Sequence, residues 1–158
     1  MKIIGMVKPK PLSFYKVNAE VSLQVANYEY GDVESADINK NACKDFHRLL
    51  GESGYQLRDS RAWSEPILVA VKGSVPPHID NRLGLVAFWL LHKQPFCHKR
   101  ESVKHQWMVD DPWLLSNQQR QRIRVGEVVV FDASATHAWI CNGSTYAISQ
   151  TISRKRKQ

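Results

Sequence analysis

Apolar residues recur along the chain with two periods. From Ser35 to Leu50, the residues Ile38, Ala42, Phe46, Leu49 and Leu50 return every three or four positions, which predicts an amphipathic helix. Ser35 or Asp37 is its expected N-cap and Gly51 its stop. Nearly everything else reads as short strands. MKIIGMV and EVSLQVANYEY are extended candidates separated by KPKPLSFYKVN, where Pro9 and Pro11 break or flank strands. Ile67 to Val71 is continuously apolar, and so is Leu83 to Leu91 (LGLVAFWLL) apart from Gly84. The intervening VPPHIDNRLG makes the whole stretch strand, rigid turn, strand. HQWMVDDPWLLS offers a short strand or two around the Asp110-Asp111-Pro112 turn. Arg124 to Glu127 reads as a turn feeding the strand Val128 to Phe131, DASATH leads to a further strand near His137, and STYAISQTIS is a last strand. Many short strands with turns between them predict a barrel or sandwich: a mainly β fold with one helix packed outside it, of the jelly-roll, double-stranded β-helix or cupin-like kind.

At 158 residues and 43% hydrophobic composition, the chain suits a single domain with a sizeable core. Within it, residues 1–64 supply supporting strands and the helix, 65–154 the β core, and 155–158 a basic tail. No run reaches the roughly 18 apolar residues of a membrane span, and the first residues lack a secretory pattern, so a cytoplasmic protein without a membrane partner is expected. Cys43, Cys97 and Cys141 are widely spaced with no C-x-x-C pair, which argues for free thiols rather than a disulfide framework or zinc knuckle. The net charge of +7 is uneven: Lys93, Lys99, Arg100, Lys104, Arg120, Arg122 and Arg124 cluster, and Lys155 to Lys157 form a basic end. Such a surface predicts weak association with polyanions, or else serves solubility alone.

The candidate chemistry lies in the turn between the two apolar runs. His78 and Asp80 are one residue apart, so in an extended segment their side chains share a side, and Pro76 and Pro77 stiffen the approach. With the distant His137 they supply two imidazoles and one carboxylate, a facial triad that suits Fe(II) and leaves positions open. Bland roles remain open for them: an ordinary turn histidine and a capping carboxylate in a non-catalytic binding or virion-associated domain. Cys43 and His47, four apart on the helix, suit packing or surface better than a cofactor. His92, His98 and His105 lack a compact ligand spacing. Trp107 and Trp113 are available for packing or for stacking on a flat substrate, and Trp89 or Trp107 to wall a pocket.

PHIDNRLGLVAF and GEVVVFDASATHAW together resemble the iron(II)/2-oxoglutarate-dependent oxygenase superfamily, with a spacing similar to its nucleic-acid demethylating branch. The resemblance covers about Ile67 to Arg154. It implies a double-stranded β-helix in which His78, Asp80 and His137 bind Fe(II) and Arg154 pairs with the distal carboxylate of 2-oxoglutarate. It further implies a dioxygenase that uses O₂, converts the co-substrate to succinate and CO₂, and hydroxylates a small-molecule or nucleic-acid substrate. No substrate-recognition lid accompanies the motifs. A cupin-like metalloenzyme that uses the same triad without 2-oxoglutarate is the alternative enzyme reading.

Overall fold

The apolar runs form two antiparallel sheets that face each other, and the helix covers the outer face of the larger one. The structure is a computed structural model, and it describes residues 1–15, 34–36, 38–58, 65–80, 84–95 and 109–156. In chain order the strands are β1 (Lys2–Met6), β2 (Glu34–Ala36), β3 (Tyr55–Leu57), β4 (Ile67–Lys72), β5 (Val75–His78) and β6 (Leu85–Gln94). They continue with β7 (Trp113–Ser116), β8 (Gln119–Arg122), β9 (Glu127–Asp132), β10 (His137–Ile140) and β11 (Ser144–Arg154). The helix α1 spans Lys44–Glu52. The larger sheet runs β1-β9-β6-β11-β4-β2, with β3 pairing the far end of β11, and the smaller runs β5-β10-β7-β8. This strand order is that of a mainly β, jelly-roll fold.

Strands β4, β6, β9 and β11 are covered on both faces, which is why the sequence shows continuous apolar runs there rather than alternation. Leu68, Ala70, Trp89, Val128, Val130, Ile148 and Ile152 point to the helix side. Val69, Val71, Val86, Leu90, Val129 and Phe131 point between the sheets. On the helix side Trp89 stacks on Phe46 with centroids 5.4 Å apart, meets the edge of Tyr15 at 5.5 Å, and donates its indole N–H to the Val7 carbonyl at 2.9 Å. Before β9, Gly126 adopts φ +96°, and a Cβ there would press against Met6 and the Val7 carbonyl. The Glu127 carboxylate accepts from the Arg124 amide at 2.7 Å, so the turn expected there is closed by its own side chain.

Several boundaries differ from expectation. The helix does not begin at Ser35: residues 34–36 pair with β4, Asp37 lies outside the described residues, and a 3-10 turn over Lys40–Cys43 precedes α1. Asn39 caps that turn by accepting from the Asn41 amide at 3.1 Å, since strand pairing with β4 takes the earlier backbone groups out of reach of a helix. Nor does Gly51 stop the helix, which runs on to Glu52. The chain instead reverses at Gly54, whose φ of +90° is the left-handed conformation that terminates helices. His78 closes the strand β5 rather than lying in a turn. The EVSLQVANYEY strand lies outside the described residues.

A half-buried polar contact ties α1 to the sheet. His47 Nε2 and Gln150 Oε1 are 3.1 Å apart, with Gln150 fully buried in β11. Burial lowers the His47 pKa, and the Gln150 contact opposes this in part. The unfolded chain therefore takes the proton more readily, so this contribution to stability is complete above the unfolded value of about 6.5 and is lost as pH falls from there through the folded value. Thermal unfolding is expected to show a falling Tm between pH 7 and pH 5, with a shallower fall in His47→Gln. Removing the ring that stacks on Trp89, Phe46→Ala, is expected to cost about 3–5 kcal/mol in urea unfolding.

Candidate metal centre

Pro76 and Pro77 suit β5 because it is an edge strand, where a missing amide donor costs little. Strand β5 pairs with β10 so that His78 and His137 are direct cross-strand partners, and the register shifts between that pair and the pair Val75–Trp139. On its other side β10 pairs with β7, placing His137 against Ser116 and burying it. Asp80, two residues past His78, is anchored by its amide, which donates to the Ala133 carbonyl at 2.8 Å. The two imidazole centroids are 4.2 Å apart. Asp80 Oδ2 is 3.4 Å from His78 Nε2 and 3.2 Å from His137 Nε2, and one ligand atom from each residue lies within 4.8 Å of the others.

The protonation pattern gives this cluster its chemistry. His78 Nδ1 is 2.8 Å from the Pro76 carbonyl, and His137 Nδ1 is 2.8 Å from the Ala135 carbonyl. A carbonyl oxygen can only accept, so both Nδ1 atoms carry a hydrogen, and it is the Nε2 atoms that face Asp80. Two imine nitrogens and a carboxylate oxygen directed at one point require a cation among them, either an added proton or a metal ion. The donor set fits a first-row divalent metal, and hydrogen bonding at Nδ1 is what orients imidazole ligands and raises their basicity.

Asp132 supports the His137 side. Its Oδ1 accepts from both the amide and the hydroxyl of Ser134, and its carbonyl accepts from the Ala135 amide at 3.1 Å. The Ser134 hydroxyl, then the Ser134 amide, hold the Asp132 carboxyl below its ordinary pKa. The DASATH stretch is thus a tight turn that presents the Ala135 carbonyl to His137.

The triad borders a cavity of about 180 Å³ between the sheets. Phe88 and Trp139 wall it edge to face, with centroids 5.3 Å apart, among Val69, Val71, Val86 and Leu114. Trp89, anticipated as a wall, lies on the opposite face of β6 in the helix-side core. Neither Phe88 nor Trp139 was singled out in the sequence, although Trp139 follows His137 by two in a strand and so shares its face. Arg154 is not brought to the triad. It is exposed, pairs with Tyr55 across β3, and by alternation shares the helix-side face of Ile148, Gln150 and Ile152.

The remaining candidates serve elsewhere. Cys43 is buried and its thiol is pushed up to about 11 by burial. His92 contacts Gln94 on the Tyr146 side, away from the triad. Trp113 packs beneath the guanidinium groups of Arg122 and Arg120, at 4.5 and 5.4 Å. Lys93 pairs with Asp111 at 2.7 Å. Cys97, His98, Lys99, Arg100, Lys104, His105, Trp107 and Lys157 lie outside the described residues. Among those described, no helix is long and apolar enough to cross a membrane.

No family model matches the sequence, and no curated protein matches it. Among solved structures, a cupin-2 domain containing protein from Shewanella frigidimarina is similar at 14% identity and TM-score 0.38, covering 65% of this chain and 72% of that one. A cupin superfamily protein from Desulfitobacterium hafniense is similar at 12% identity and TM-score 0.40, covering 65% and 76%. A conserved protein of unknown function from Streptococcus pyogenes is similar at 11% identity and TM-score 0.40, covering 94% and 100%. At these values the fold assignment rests on the protein's own strand order and facing sheets.

Because the Asp132 turn positions the carbonyl that orients His137, Asp132→Ala is expected to weaken divalent-metal binding by about tenfold or more in calorimetric titration. Asp132→Asn, which keeps an acceptor for Ser134, is expected to recover much of that loss.

Proposed function

We propose that the protein is a cupin-like metalloenzyme in which His78, Asp80 and His137 hold one divalent metal ion facing the cavity between the sheets. The observation that supports this most directly is the convergence of His78 Nε2, His137 Nε2 and Asp80 Oδ2, with both Nδ1 atoms committed to backbone carbonyls. A bound ion of this kind supplies Lewis acidity and, as Fe(II), access to O₂ chemistry at its open positions. The chain's own contributions are orientation and exclusion of water. Pro76 and Ala135 fix the rings, the Ala133 carbonyl fixes Asp80, and the apolar walls keep the inner side of the site dry.

The Fe(II)- and 2-oxoglutarate-dependent dioxygenase is the more specific reading, favoured by the order His-x-Asp followed by a distal His. It requires a cation for the distal carboxylate. Among the described residues none that lines the cavity is Lys or Arg, and Arg154 faces the helix side. This supports the reading without 2-oxoglutarate over the one with it. Exposed Arg120, Arg122 and Arg124 support a separate, salt-sensitive association with polyanions.

Anaerobic titration of the purified protein with Fe(II), followed by 2-oxoglutarate, tests the assignment. One ion per chain is expected, with no measurable binding in Asp80→Ala and unchanged binding in Arg154→Met. Failure of the unsubstituted protein to bind any of Fe(II), Co(II) or Zn(II) would overturn the metal assignment. Entry of 2-oxoglutarate into the iron's coordination sphere, weakened by Arg154→Met, would restore the dioxygenase reading.

A further inference from the structure

The cavity beside the triad has a chemical character that narrows what can enter it. Strand β11 contributes Ser149 to its lining, and by alternation the small residues Ala147 and Thr151 share that inner face. The opposite face of the same strand carries Tyr146, Ile148, Gln150 and Ile152, so the vacancy is confined to the triad's side. The lining is open where Ile67 is exposed and Asp80 half-buried, and closed where Val71, Leu114 and Trp139 are buried. The polar end is therefore the mouth.

Few hydrogen-bonding groups reach the closed end. Trp139 has its indole N–H engaged by the Thr145 hydroxyl at 3.1 Å. Ser149 is the one hydroxyl-bearing side chain among the described lining residues, and it pairs with Ile67 on one side and Phe88 on the other. A carboxylate carried into the closed end would lose its water without gaining a partner, which is strongly unfavourable. An apolar group would gain the surface of Val71, Leu114, Phe88 and Trp139. A dry apolar cavity of roughly 150 Å³ accommodates a benzene-sized body, so the space here suits one aromatic ring or a branched chain of similar bulk.

Resting on the metal assignment above, we propose that the substrate of this site is a small molecule with a single anionic head and an apolar body. The head meets the metal held by His78, Asp80 and His137, and the body, no larger than one aromatic ring, lies against Phe88, Leu114 and Trp139. Dicarboxylates and phosphorylated tails are excluded by the closed end.

The test uses Zn(II)-loaded protein and calorimetric titration with monocarboxylates of increasing length, with phenylacetate, and with succinate and 2-oxoglutarate. Affinity is expected to rise roughly fourfold for each methylene buried until the cavity is full, and phenylacetate is expected to exceed acetate. Succinate is expected to bind more weakly than butanoate. Val71→Phe, which fills the closed end, is expected to cancel the gain with length while leaving acetate bound. In parallel, benzene added to metal-free protein is expected to shift the methyl NMR signals of Val69, Val71, Val86 and Leu114, a readout independent of metal and of the variant's folding. Tighter binding of succinate or 2-oxoglutarate than of butanoate, or no benzene-induced shifts at these methyls, overturns the proposal. If Zn(II) does not bind, the metal assignment fails, and the benzene titration still decides whether the cavity takes an apolar body.

Discussion

The structure depends on strand β11 being buried on both faces with side chains of different size on each. Its backbone is paired with β6 on one side and with β4 and then β3 on the other, so it cannot shift register without breaking ladders on both edges. That constraint assigns Ile148, Gln150 and Ile152 to the helix side and Ala147, Ser149 and Thr151 to the inner side. One face therefore closes into a packed aromatic core around Trp89. The other leaves a gap between two sheets, at whose mouth the ionisable triad lies. A one-residue slip would exchange these faces, placing Tyr146 and Ile148 in the cavity and leaving α1 without Gln150.

The triad is held by backbone groups more than by side chains. Two carbonyls, each two residues before its histidine, fix the imidazoles, and a third accepts from the Asp80 amide. Backbone in paired strands and tight turns has little freedom to relax. The three acceptor atoms are thus kept close together even though their lone pairs repel without a cation between them. Such an arrangement suits the metal ion proposed above, since little side-chain entropy would remain to be lost on binding it. The apolar wall behind the triad has the complementary effect of lowering the local dielectric, which strengthens any charge interaction at the mouth.

The sequence alone determined the class of fold and singled out the three side chains that the structure brings together. Apolar runs at Ile67 to Val71, Leu83 to Leu91 and Val128 to Phe131 implied strands, and the His-x-Asp spacing with a distal His after an apolar strand pointed to candidate ligands. These features are local, because side-chain alternation and turn chemistry act over a few residues. The helix start differs from expectation for the same reason: Ser35 has the chemistry of a cap, but its backbone is taken by β4, a partner remote in the chain.

Tertiary structure decided which face of each strand meets the cavity. Trp89 and Phe88 are neighbours in an unbroken apolar run, so nothing in the run itself distinguishes a core residue from a cavity wall. Only the pairing of β6 with β9 and β11 sends Phe88 inward and Trp89 toward α1. Arg154 follows the same rule. Its sequence position after His137 matched the expected anchor, but parity along β11 places it with Ile152 on the helix side, because residues two apart on one paired strand share a face.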